Sequence, residues 1–142
     1  MPMTVTSDSI TGAELAERLL QGVGNERMRA ATRLLGAHRD GYWLRRLADD
    51  QELAAAIDQP FPPFIDSSGT HPSVEWSSVG LLLITQPWAL KCSASELAVL
   101  EFAASLVGRC GVNLEKALIA VDGKEFDLLA RAMREAVYGD PC

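Results

Sequence analysis

Ser73-Val-Glu-Trp-Ser-Ser-Val-Gly-Leu-Leu-Leu-Ile-Thr-Gln-Pro87 is the stretch on which the fold turns. Val79 to Ile84 is the longest apolar run of the chain, with Gly80 inside it. A run of this length suits a short buried strand or one side of a buried helix. Helical spacing puts Val74, Ser78, Leu81 and Thr85 on one face, and Trp76, Val79 and Leu83 on another. A strand needs a partner, and no second strand-like run is evident elsewhere. The stretch therefore reads as a helix, stopped by Pro87, and the whole chain as all-α. The same run is far too short to span a bilayer, so no membrane association is expected.

Downstream the helical signals are local and strong. Ser93 and Glu96 have the spacing of a capping box. The helix they open carries Leu97, Val99, Leu100, Phe102, Leu106 and Val107, with Ala98, Ala103 and Ala104 between them. Its one polar stripe is Glu101, Ser105 and Arg109. A helix apolar nearly all round is either central or part of an interface. After Gly111, Asn113 caps a short helix with Leu114, Ala117, Leu118 and Val121. Asp122 to Glu125 then leads into a final helix, with Phe126, Leu129, Ala130, Met133 and Val137 on its expected core face. Asp127 with Arg131, and Arg131 with Glu135, are i,i+4 pairs for its solvent side.

Upstream, Thr11 and Glu14 form another capping box before Leu15, Leu19 and Leu20, and Gly22 and Gly24 end that helix. Asn25 caps the next, where Met28, Ala31, Leu34, Leu35 and His38 share a face. Asp40-Gly41 breaks the pattern. Tyr42 to about Ile57 reads as further helix, bent near Asp49-Asp50. Residues 58–72 differ, because Pro60, Pro62, Pro63 and Pro72 exclude regular helix. Phe61, Phe64 and Ile65 make this an ordered connector with aromatic anchors. The expectation is one domain over 1–142, with helical parts at 11–57 and 73–138. It holds six or seven helices in a compact bundle or orthogonal array.

Composition agrees. The 142 residues are 48% hydrophobic and 23% charged, which is globular and enough for a core without disulfide or metal. Three cysteines, Cys92, Cys110 and Cys142, form no close-spaced framework. The first eight residues lack the basic stretch and apolar core of a secretory signal, so a reducing cytoplasm is the expected compartment.

No residue set assembles a catalytic or cofactor motif. Gly22-Val-Gly24-Asn-Glu-Arg27 lacks the third glycine of a dinucleotide loop and follows a helix where a strand is required. Asp66-Ser-Ser-Gly-Thr-His71 holds the residue types of a hydrolase triad in one loop, where they cannot converge, so it reads as a surface turn. His38, His71 and the cysteines are too widely spaced for a zinc motif. Glu101 has neither a second acid nor a histidine on its face. The sequence implies no cofactor, no metal and no enzymatic activity.

What stands out is charge. The net charge is −6, yet Arg27, Arg29, Arg33, Arg39, Arg45 and Arg46 fall within 20 residues with Asp40 as the one acid among them. Arg29, Arg33, Arg39, Arg45 and Arg46, with Trp43, are the candidate interaction residues. Residues 12–47 resemble one helical hairpin of the HEAT-repeat kind, through Arg29-Ala-Ala-Thr-Arg-Leu-Leu-Gly36 and Asp40, with Gly36 and Asp40 at the turn. The repeat that should follow is absent. The resemblance implies stacked helices and protein contact. Residues 25–47 also resemble a degenerate helix-turn-helix, Ala31 to Arg39 as first helix and turn and Tyr42 to Leu47 as reader. That alternative is a DNA-associated regulator using Arg39, Arg45 and Arg46. The acidic net charge ranks nucleic acid below a protein partner. Residues 73–138 resemble small all-α proteins of high-GC actinobacteria, through Ser93, Glu96, Leu100, Ala103-Ala-Ser-Leu106, Leu114, Ala117-Leu118 and Asp122. That resemblance implies the fold and no activity.

The expected function is a helical interaction protein that self-associates as a homodimer, because the Leu97–Val107 helix offers more apolar surface than a small core covers. A small-ligand pocket lined by Trp76, Trp88 and Phe102 is the minor alternative.

Overall fold

The computed structural model describes residues 10–56 and 63–139. Val79–Ile84 is helical, as the missing strand partner required. It belongs to α5 (Trp76–Thr85), which stops one residue before Gln86-Pro87. The described residues contain eight α-helices and a single two-stranded ribbon. The other helices are α1 (Gly12–Arg18), α2 (Glu26–Ala37), α3 (Tyr42–Asp49), α4 (Gln51–Ala56), α6 (Ala94–Leu106), α7 (Leu114–Ala120) and α8 (Gly123–Tyr138). Eight exceeds the expected six or seven. One reason is that Asp50 breaks the Tyr42–Ile57 stretch. Its backbone N–H closes α3 on Arg46, and its carboxylate accepts from Leu53 N–H at 3.0 Å to start α4. The bend expected near Asp49-Asp50 is thus a helix boundary.

The connector is more regular than its prolines suggest. β1 (Ile65–Asp66) pairs antiparallel with β2 (Ser73–Val74), Ile65 opposite Val74 and Asp66 opposite Ser73. Helix therefore resumes at Trp76 and not at Ser73. Phe64 is a buried anchor, and its carbonyl accepts from Glu75 N–H at 2.7 Å. Phe61 lies outside the described residues. Asp66 accepts from both the backbone N–H and the hydroxyl of Ser68, which makes Asp66–His71 the exposed turn its composition indicates.

Helix starts follow their capping residues. Thr11, Ser93 and Asp122 each form a complete capping box with the glutamate three residues on. Asn25 and Asn113 cap α2 and α7 through their side chains. Each cap satisfies N–H groups that a helix leaves unpaired.

One apolar cluster runs from Leu15 on α1 to Ala132 on α8. α6 is packed by α2, α5, α7 and α8. Val99, Leu100, Ala103 and Ala104 are fully buried there. The all-round apolar character of α6 is thus met inside the chain, and the reason for placing an interface on it falls away.

The tightest packing is between α1 and the turn after α2. A Cβ on Gly12 would sit 2.2 Å from Gly36 O, 2.3 Å from Gly41 N and 2.4 Å from Asp40 C. Gly36 is inside α2, not in the turn, and is needed where Ala16 packs against it. The turn itself is Arg39, Asp40 and Gly41, three consecutive residues in the left-handed region, with φ of 48°, 54° and 80°. Two of them carry side chains, and such residues cost of order 1–3 kcal/mol each unless their surroundings fix them. Gly12 N–H donates to Asp40 Oδ1 at 2.8 Å, and Arg45 Nε donates to Asp40 O at 2.8 Å. α1 and α3 therefore hold this turn from both sides.

Candidate interaction surface

The left-handed turn delivers His38 and Arg39 to the N-terminal ends of α6 and α8. His38 is buried at the end of α2, and its Nε2 lies 2.8 Å from Glu125 Oε2. Arg39 pairs with Glu96 through Nη1, and its Nη2 lies 3.5 Å from the same Glu125 oxygen. Both glutamates are also capping-box residues: Glu96 Oε1 accepts from Ser93 N–H and Glu125 Oε1 from Asp122 N–H. One carboxylate oxygen thus caps the helix while the other receives the cation. Burial pushes the Glu96 carboxyl up. The Ser93 hydrogen bonds and the Arg39 charge outweigh it and hold the group below the ordinary range.

Each of the six residues singled out in the sequence is engaged within the chain. Arg29 Nη1 donates to Leu20 O at 3.1 Å and Val23 O at 2.7 Å, closing the end of α1. Arg33 bridges Glu17 on α1, at 2.7 Å, and Glu135 on α8, at 3.1 Å. Arg45 donates to Ile10 O at 2.8 Å besides its bond to Asp40. Arg46 pairs with Asp50 at 2.7 Å, donates to Leu90 O, and has its guanidinium 5.3 Å from the centre of the Trp43 ring. Trp43 is fully buried, and its Nε1 donates to Glu96 O at 2.8 Å. The structure brings Arg39 and Trp43 together at Glu96 on α6, with Arg46 against the Trp43 ring. It sends Arg29 and Arg33 to α1 and α8.

The charged contacts also fix how α8 lies, and they correct the expected orientation. Glu125, Leu129, Ala132 and Glu135 are its buried residues. Phe126, Met133 and Val137, expected to face the core, are 44%, 43% and 70% exposed. Glu135 reaches Arg33, not Arg131 as spacing along the helix had it. Acidic partners for His38 and Arg33 are needed on the α2 side, and α8 turns its two glutamates there. The apolar stripe Phe126, Ala130, Met133 and Val137 comes to lie along the outer flank, and Ile119 on α7 is also exposed.

Two cavities are lined by the described residues. One of about 190 Å³ lies between α1, α2 and α8, where Glu17 and Glu135 face Arg33 and Arg131. Its charges balance, and Arg33 already spans it. The other, about 280 Å³, lies beside β1 and α5, with Asp66, Glu75 and Leu81 in its wall and, among its lining residues, the buried Ser78 hydroxyl, which has no partner among the described residues. Trp76 and Phe102 lie in the core while Trp88 is 62% exposed, so the three side chains proposed for a ligand pocket occupy different environments.

Burial, with Glu96 and Glu101 nearby, pushes the Cys92 thiol up, and burial and Glu101 do the same for Cys110. Both favour the thiol over the nucleophilic thiolate. Among the described residues no three His, Cys, Asp or Glu side chains gather as a metal would need, and no helix is long and apolar enough to cross a membrane. The chain matches no family model, and no curated protein or solved structure matches it.

Proposed function

We propose that the chain is a non-enzymatic, cytoplasmic helical interaction protein that pairs with a second copy of itself. The observation that carries the reading is the outer flank of α8, where Phe126, Met133 and Val137 are exposed in one row while the same helix buries two glutamates. Uncovered apolar rows of this kind mark contact surfaces, and a twofold homodimer is the simplest way to cover one. Support for stacked helices as the contact unit comes from the close α1–α2 packing at Gly12 and Gly36.

Duplex DNA is the competing partner, and it has less behind it. Reading bases takes guanidinium groups directed outward. Arg39, Arg45 and Arg46 are directed at Glu96, Asp40 and Asp50. Sedimentation equilibrium over a wide concentration range tests the reading. A mass approaching twice 15.4 kDa is expected at high micromolar concentration. A constant 15.4 kDa would overturn it.

A further inference from the structure

We infer that the second copy packs antiparallel along α8, with Phe126 of one chain against Val137 of the other and Ala130 against Met133. The inference rests on the self-association proposed above and adds the contact element, its direction and its register. Phe126, Ala130, Met133 and Val137 are spaced four, three and four residues apart, which is the spacing of a helix–helix seam. Twofold antiparallel pairing of such a seam matches its first residue to its last and its two middle residues to each other. The large Phe126 and the smaller Val137 then share a layer, as do Met133 and the small Ala130.

Charge selects the direction. Asp127 and Arg134 stand on the same edge of the seam, two turns apart and about 10.5 Å along the axis at 1.5 Å per residue. Both are exposed. The Arg134 guanidinium lies 5.2 Å from the centre of the exposed Tyr138 ring, which holds it at this edge. In a parallel pair this edge would face the Leu129 and Ala136 edge of the other copy, so neither Asp127 nor Arg134 would gain a partner of opposite charge. In an antiparallel pair each Asp127 meets the Arg134 of the other copy, twice per dimer. Unlike charges opposed across an interface set its direction and register. The opposite edge of α8 carries Leu129 and Ala136 and is turned to the body of the chain, so it adds no competing charge.

The test is a charge exchange followed by sedimentation velocity. Asp127→Arg and Arg134→Asp each place two like-charged pairs in the dimer. Each alone should weaken dimerisation by roughly tenfold or more. An equimolar mixture of the two variants restores two opposite-charge pairs and should recover the dimer, as should the double variant on its own. Both positions are exposed, and unchanged circular dichroism and thermal midpoint would show that the fold is kept. A dimeric wild type whose single variants dimerise undiminished, or whose mixture fails to recover, would overturn the antiparallel α8 contact while leaving self-association standing. A monomeric wild type would overturn both.

Discussion

Gly12→Ala is expected to destabilise the protein by about 3 kcal/mol, the upper part of the range for overpacking a tight contact. Helix propensity points the other way. Alanine in place of glycine within a helix is ordinarily favourable by about 1 kcal/mol, so the sign of the change decides between local preference and packing. A new Cβ would lie 2.2 to 2.4 Å from three backbone atoms of Gly36, Asp40 and Gly41. Backbone cannot swing aside as a side chain can. Relief would require α1 to lift from the left-handed turn, breaking the 2.8 Å bond from Gly12 N–H to Asp40. Urea unfolding measures the loss. Gly24→Ala is the control, because nothing lies within 4 Å of a Cβ there, and it should change stability by no more than about 0.5 kcal/mol. Equal effects at the two positions would contradict the packing described for α1.

Glu125→Ala is expected to cost about 3 kcal/mol, the upper end of the range for leaving a buried hydrogen-bonding group without its partner, with the loss of a cap contact included. The substitution has three consequences at one site. His38 Nε2 loses its 2.8 Å partner inside the core, where His38 Nδ1 already has none among the described residues. Arg39 loses one of its two carboxylates. The capping box of α8 loses its return bond to Asp122 N–H. A double-mutant cycle with His38→Ala separates the pair from the cap. A coupling energy above about 0.5 kcal/mol is expected for directly contacting residues. A Glu125→Ala effect within about 0.5 kcal/mol of zero would show that the network contributes no stability.

The two substitutions also show where sequence reading succeeds and where it stops. Helix starts were legible because a cap is a local event. Thr11, Asn25, Ser93, Asn113 and Asp122 act on backbone within three residues of themselves. The helical state of Val79–Ile84 was legible too, from the lack of a strand to pair with it. The orientation of α8 was not. Its apolar row has the right spacing for a core face, and hydrophobic periodicity gives no sign of which face a folded chain will cover. What turns α8 is a demand for carboxylate placed on α2, from residues 87 and 102 positions away.

The arginine run follows the same logic. As sequence it is an excess of positive charge in an acidic chain. In the fold, the five arginines taken as interaction candidates divide among the end of α1, two bridges between helices, the left-handed turn and the side of Trp43. Sequence distance hides these partners, since Arg33 to Glu135 and Arg39 to Glu96 each join separate elements. Gly36 was read as a turn residue for a related reason. A glycine required by a neighbouring helix, here at Ala16, is indistinguishable in sequence from one required by its own backbone.

Self-association comes to rest on the outer row of α8 and on what meets it. An isotope-filtered NOE experiment on an equimolar mixture of labelled and unlabelled chains observes that meeting directly, because only contacts between different copies give signals. Cross-peaks between the Phe126 ring of one copy and the Val137 methyls of the other are expected. Intermolecular contacts confined to other residues, or none at concentrations in the high micromolar range, would contradict it.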